Sequence, residues 1–380
     1  MSELLGIPVR DFLRRHWQRK PLLVRQAFPG FQSPLAPDDL AGFACEPLAS
    51  SRLVVHEPKR DRWTVKHGPL AETDFARLPK QHWTLLVQDV DKLVDDVAAL
   101  RDAFRFVPQW RVDDVMVSYA VDGGSVGAHV DRYDVFLLQG AGRRRWLIDA
   151  NTPPEPAFRD DVELKLLREF TPTHDWLLEP GDMLYLPPGV AHHGIADGEC
   201  LTYSIGMRAP AASELVLDLA EHTAERLGEA VRYRDAGLDL PRDDAEIDDA
   251  AFARVAALVR DAQALDDAAL RDWFAGFITR YRSAHEAVPP PRARTQAQVD
   301  AILARGGALV RNPWSRYAWF RAGRGAALWF AGERTDGSIR LARLLQEHRR
   351  YDAALLAALG DADRATLLAL LNRGHLGLSR

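Results

Sequence analysis

Two short stretches of this chain hold residues spaced for metal chemistry. The first runs Asp122-Gly-Gly-Ser-Val-Gly-Ala-His129-Val-Asp131, and the second runs Gly181-Asp-Met-Leu-Tyr-Leu-Pro187-Pro-Gly189-Val-Ala-His192. Side chains two apart on a β-strand point to the same face, so His129 and Asp131 can hold one ion while His192 arrives from a distant strand. Two imidazoles and one carboxylate on one face of an ion, with the opposite positions open, form the ligand set that ferrous iron uses in oxygen chemistry.

An isolated His-x-Asp pair carries little weight, and the framing decides. A Gly-rich turn precedes His129, and the apolar run Val135-Phe-Leu-Leu138 follows the pair. The strand-like Met183-Leu-Tyr-Leu186 leads into a Pro-Pro-Gly turn before His192. Strand, turn and strand are what a small β-barrel needs to aim ligands inward. The spacing of Gly181, Pro187 and Gly189 selects His192 as the third ligand and leaves His193 facing the other way. His56, His67, His82 and His174 have no such framing and read as ordinary histidines.

Oxygen chemistry at such an iron needs an electron source. 2-Oxoglutarate is a common one, chelating through its 2-oxo-acid end, and its far carboxylate then requires a buried cation. Gly142-Arg143-Arg144-Arg145-Trp146 supplies one. A planar guanidinium grips a carboxylate through two parallel hydrogen bonds and keeps its charge when buried. Alternation places Arg144 and Trp146 on one face of the strand and Arg143 and Arg145 on the other. The competing reading is a solvated basic hairpin.

The whole chain of 380 residues has room for two or three domains and carries a net charge of −5. No segment is long and apolar enough to span a bilayer, and the start shows no secretory pattern. Cys45 and Cys200 have no partner motif, so neither a disulfide scaffold nor a zinc cluster is expected, and a cytoplasmic setting fits. The last eighty residues carry +7, leaving −12 on the first three hundred. Such an acidic body attracts a basic partner. The arginines of the tail read first as a solvated face, with a nucleic-acid footprint as the lesser alternative.

Along the chain, an amphipathic helix around Val9 to Trp17 leads into short apolar segments. From Val115 to Met207 the pattern is mainly β. After Pro210 the character turns helical: Ser213 is placed to cap a helix bearing Leu215, Val216 and Leu219, and further stripes follow at Phe252, Val255 and Val259 and at Trp273, Phe274 and Phe277. Pro289-Pro-Pro291 reads as a linker. Beyond it, Tyr317–Arg321 and Ala326–Ala331 read as paired strands, then helices run to Asn372, and Gly374-His-Leu-Gly377 reads as a Gly-rich end.

These features together resemble the bacterial ribosomal oxygenases of the Jumonji C family. The resemblance runs through Phe12-Leu-Arg-Arg-His-Trp-Gln-Arg-Lys-Pro21, Phe106-Val-Pro-Gln-Trp-Arg-Val-Asp-Asp114 and the block from His129 to Trp146. It implies an α+β chain: a double-stranded β-helix (a cupin or JmjC barrel) over residues 1–210, a helical dimerisation region over 211–288 and a winged-helix-like domain over 289–380. It also implies Fe(II) bound by His129, Asp131 and His192, with Arg144 holding 2-oxoglutarate. Ser118, Thr202 and Ser204 become polar liners of that pocket, and Tyr133 and Asp134 become substrate contacts. The implied reaction is 3-hydroxylation of an arginine in the large-subunit ribosomal protein uL16, by a homodimer. The doubled His192-His193 departs from the pattern. Competing readings are another JmjC hydroxylase or a lysine demethylase, and a non-catalytic cupin sensor with a DNA-binding wing.

Overall fold

The computed structural model of the chain describes residues 2–379 apart from 152, 154, 238–242, 244 and 281–286. It forms two compact units, Met1–Ala209 and Pro210–Arg380.

The first unit is built on ten strands: β1 (Leu22–Val24), β2 (Ser51–Glu57), β3 (Arg62–His67), β4 (Trp83–Val87), β5 (Val112–Ala120), β6 (His129–Val130), β7 (Asp134–Asp149), β8 (His174–Leu178), β9 (Met183–Leu186) and β10 (Ala191–Met207). They join in the order β1-β9-β7-β10-β5-β4-β2-β3, with β6 added on β10 and β8 on β7. The frame is the long antiparallel pair β7 and β10, with Ile148 opposite His192 at one end and Asp134 opposite Met207 at the other.

Period-two alternation sorts the side chains of this sheet into two cores. Val135, Leu137, Trp146 and Ile148 of β7 cluster with Leu178, Leu184 and Leu186 on the face that carries the ligands. Phe136 and Leu138 join Phe12, Phe104, Met183, Tyr185 and Tyr203 on the other face. The first half of β7, residues 134–140, is therefore buried on both sides, which explains why the sequence there reads as an unbroken apolar run. The helix Val9–Arg15 seats Phe12 edge-on against Tyr185, with ring centroids 4.9 Å apart. Complete burial of that phenyl ring contributes about 2 kcal/mol.

The second unit opens with helices Ala212–Leu227, Asp249–Gln263 and Asp267–Thr279. Ser213 is not the cap that its position suggested: the helix starts one residue earlier, and Glu214 reaches back to accept from the Ala211 N–H at 3.0 Å. Three strands, β11 (Ala308–Arg311), β15 (Arg350–Tyr351) and β16 (Leu376–Ser379), make one sheet in the order β15-β11-β16. Strands β12 (Tyr317–Ala322), β13 (Gly325–Phe330) and β14 (Glu333–Gly337) make an antiparallel meander. The expected hairpin of Tyr317 and Ala326 is present. The Gly-rich C-terminal end runs into a strand, Leu376–Ser379, which pairs with Ala308–Arg311. No helix among the described residues is long and apolar enough to cross a membrane.

Candidate metal centre

His129 and His192 are direct cross-strand partners on β6 and β10, and their ring centroids lie 4.3 Å apart. Asp131 follows just past the end of β6, with its Oδ2 3.7 Å from His192 Nε2. One ligand atom from each of the three residues lies within 4.8 Å of the others, the spread expected around a single ion. Each imidazole is held by its own backbone: His129 Nδ1 is 2.9 Å from the Gly127 carbonyl and His192 Nδ1 is 3.0 Å from that of Val190. A carbonyl only accepts, so Nδ1 carries the proton in both rings and Nε2 keeps its lone pair for a metal. Burial, and then the neighbouring His129, push the His192 pKa down to about 4, so the ring is neutral and ready to ligate at neutral pH. His193 lies outside this cluster, half-buried with its ring 6.2 Å from that of Phe170.

Arg144 is buried, while Arg143 pairs outward with Asp197 and Arg145 with Asp175. The alternation read from the sequence therefore holds. Arg144 Nη1 lies 3.3 Å from Ser118 Oγ, yet Nε and Nη2 are buried with no hydrogen-bond partner among the described residues. A guanidinium with one edge of its fork unpaired inside a barrel awaits a carboxylate, since such donors are costly to leave unmade. The donor set at the cluster and this orphaned fork thus fit ferrous iron and 2-oxoglutarate respectively.

The expected polar liners divide. Ser118 and Thr202 sit opposite each other on β5 and β10, both buried, and Thr202 Oγ1 donates to Gln139 Oε1 at 3.2 Å. Ser204, also buried, lies two residues along on the same face, between Met116 and Leu137. Tyr133 is 43% exposed, and the adjacent Asp131 carboxylate, then burial, hold its phenol protonated. Asp134 is not brought to the site. It is fully buried, accepting from the Tyr185 hydroxyl, from Gln18 Nε2 at 3.0 Å and from Arg111 Nη2 at 3.3 Å, on the strand face that meets the N-terminal helix. That leaves it no exposed lone pair for a substrate.

One residue was missed. Asp114 shares the inward face of β5 with Ser118, and a Cβ on Gly206 would fall 3.3 Å from its Oδ1 and 3.9 Å from Tyr133 Cε2. The two side chains therefore flank one spot. Burial, then the charges of Asp89 and Asp91, push the Asp114 pKa up to about 7. Its Oδ2 accepts from the Asp89 N–H at 3.1 Å and Lys92 offsets part of that shift, and a carboxyl so placed beside an exposed phenol suits a cation. The same alternation that puts Ser118 inside puts Asp114 inside.

Comparison with known proteins agrees with this geometry. Residues 99–215 match the JmjC domain family, and residues 259–377 match the ROXA-like winged helix. The barrel and its ligand cluster are those of a JmjC domain protein. The chain is 36% identical over 306 residues to the ribosomal protein uL16 3-hydroxylase of Escherichia coli (strain K12), covering 79% of each. The crystal structure of E. coli ycfD superposes with a TM-score of 0.86 at 32% identity, over 99% of both chains. A second structure of YcfD, described as a ribosomal oxygenase in complex with cobalt and 2-oxoglutarate, superposes with a TM-score of 0.82 at 33% identity over 98% of this chain and 99% of that one. The chain belongs to the JmjC ribosomal oxygenase family.

Proposed function

We propose that this chain is an Fe(II)- and 2-oxoglutarate-dependent protein hydroxylase whose substrate is an arginine of ribosomal protein uL16, hydroxylated at C3. The observation that carries the reading is the pairing, inside one barrel, of the His129, Asp131 and His192 cluster with the two unpartnered nitrogens, Nε and Nη2, of buried Arg144. A sensor that only binds a ligand has no use for both. Iron bound with 2-oxoglutarate supplies the oxygen activation that converts C–H to C–OH while 2-oxoglutarate becomes succinate and carbon dioxide. The chain supplies the geometry. His129, Asp131 and His192 bring three ligand atoms within 4.8 Å of one another, a set that would leave further positions of a six-coordinate ion for the co-substrate and dioxygen. Arg144 and Ser118 anchor the far carboxylate at depth, and the apolar wall of Val135, Leu137 and Leu184 keeps water away.

At the mouth, Asp114 and Tyr133 suit a guanidinium, one offering charge and the other an aromatic face. The substrate class follows from that chemistry, and the particular protein from the similarity to the uL16 3-hydroxylase. Ordered helical faces in the second unit leave Val216, Leu217 and Phe252 at least 64% exposed. Those faces support the homodimer. Incubation with Fe(II), 2-oxoglutarate and a uL16 peptide containing the arginine should add the mass of one oxygen to that residue. An unmodified peptide, with 2-oxoglutarate consumed only when another basic protein is supplied, would retain the oxygenase and discard uL16.

A further inference from the structure

Three rungs of the β7–β10 pair lead from the ligand cluster to the arginine. His192 faces Ile148, Gly194 faces Trp146, and Ala196 faces Arg144. The first rung belongs to the metal and the third to the far carboxylate. The middle rung has no role in the reading so far, and it holds an unexplained polar group. Trp146 is 5% exposed, and its Nε1 is buried without a hydrogen-bond partner. Among the described residues it is the one buried indole N–H in this condition. Buried donors are almost always paired, so an orphan next to a binding site calls for an acceptor.

The orientation of the ring is defined by Gly194. A Cβ there would fall 2.7 Å from Cη2, 2.8 Å from Cζ3 and 3.0 Å from Cε3 of the indole, so the six-membered edge fills the space above the glycine. The pyrrole edge, with Nε1, is consequently turned away from β10. The ring centre is 5.9 Å from that of His192 and 5.7 Å from Arg144 Cζ. Along β7 the indole thus stands between the ligand cluster and the guanidinium, within 6 Å of a group at each end.

Resting on the oxygenase reading above, we propose that Trp146 is a binding residue for 2-oxoglutarate, lying along its carbon chain and donating Nε1–H to the carboxylate that Arg144 holds. The donor count matches. A carboxylate offers about four lone-pair positions. The side-on edge of Arg144, its unpartnered Nε and Nη2, gives a carboxylate two parallel hydrogen bonds, and Ser118, accepting from Nη1, has its own hydroxyl proton to give. Trp146 is the fourth donor. The aromatic face explains why the position is not filled by a smaller polar residue: the indole gives the methylene groups of the co-substrate an apolar wall, and the N–H contributes only at its end.

The test uses the intact protein loaded with Zn(II), which is diamagnetic and does not turn over. In a 15N–1H spectrum of the indole groups, one signal should shift on adding 2-oxoglutarate and stay in place on adding pyruvate, which has the same chelating end and no far carboxylate. Trp146→Phe should lack that signal and bind 2-oxoglutarate about tenfold more weakly by calorimetry, the loss expected for one hydrogen bond to a charged acceptor. Zn(II) affinity should be unchanged. Wild-type protein that binds 2-oxoglutarate with every indole signal unmoved, or whose Trp146→Phe variant binds it equally well, would overturn the proposal alone. Wild-type protein that binds Zn(II) and no 2-oxoglutarate would overturn it together with the oxygenase reading.

Discussion

His129 and His192 face each other across β6 and β10, and each donates Nδ1–H to the carbonyl two residues before it in its own chain. The two imidazoles are therefore aimed before any metal binds, and Asp131 supplies the only negative charge of the three ligands. Asp131→Ala leaves two neutral donors facing a divalent ion. Ferrous affinity should fall by about a hundredfold or more, and hydroxylation should disappear, while the melting temperature of the metal-free protein stays within a few degrees. Calorimetric metal titration checks this. Retention of tight binding would remove Asp131 from the ligand set.

Arg144 has a different signature. Truncating it to Ala strands a buried carboxylate of the co-substrate, a loss of about 3 kcal/mol, or roughly two orders of magnitude in 2-oxoglutarate affinity. Metal binding is unaffected because the guanidinium is not a ligand. Arg144→Lys keeps the charge and loses the planar fork, so it should restore only part of the affinity. Titrating 2-oxoglutarate into metal-loaded variants separates these outcomes.

Asp114 makes the site sensitive to pH. Its folded pKa is about 7, above the ordinary carboxyl value of 3.8, so the native state holds an extra proton between about pH 4 and pH 7. The sign follows: the native state binds more protons than the unfolded state over that range, and the stability tied to this group declines as pH rises through it. Asp114→Asn removes the dependence, so its melting temperature relative to wild type should improve from pH 4.5 to pH 8. Function should run the opposite way. Charged Asp114 is what attracts a guanidinium, so the KM for a basic peptide should drop as pH rises through about 7 in the wild type and stay high in the Asn variant. A flat wild-type KM would take Asp114 out of substrate binding.

Asp134 is expected to matter for stability rather than for substrate. Its carboxylate gathers Tyr185, Gln18 and Arg111, which lie 51, 116 and 23 residues away in the chain. Asp134→Ala leaves these groups without their buried acceptor and should cost about 3 kcal/mol. Thermal unfolding would show the loss, and the peptide KM of the folded fraction should match wild type. A raised KM with unchanged stability would return Asp134 to the role that its proximity to Asp131 suggested.

The contrast between Asp131 and Asp134 marks what was legible in the sequence. His129, Asp131, His192 and Arg144 could be read because each depends on local alternation and on turns written in Gly and Pro. Asp134 could not, because its surroundings are assembled from residues distant in the chain. The same holds for the end of the chain, where Gly-rich residues form an edge strand only because Ala308–Arg311 offers a partner. Asp114 sits between these cases. Its face follows from the period of β5, whereas its raised pKa comes from burial and from the charges of Asp89 and Asp91, which reach it from outside that strand.

The helical faces of the second unit carry the last prediction. Val216 and Leu217 are 65% and 71% exposed on one helix, and Phe252, at 64%, shares the next helix with exposed Val255 and Val259. Such amphipathic stripes on ordered helices, together with Leu270, represent apolar area that a soluble protein normally covers. A two-fold pairing of identical stripes covers it without a second gene product. Sedimentation at micromolar concentration should give twice the chain mass. Replacing Val216 and Phe252 together by Glu places charges in the interface and should give the single-chain mass, with metal and 2-oxoglutarate binding in the barrel unchanged. A wild-type monomer at that concentration would refute the homodimer, and a dimer that survives both substitutions would move its interface away from these helices.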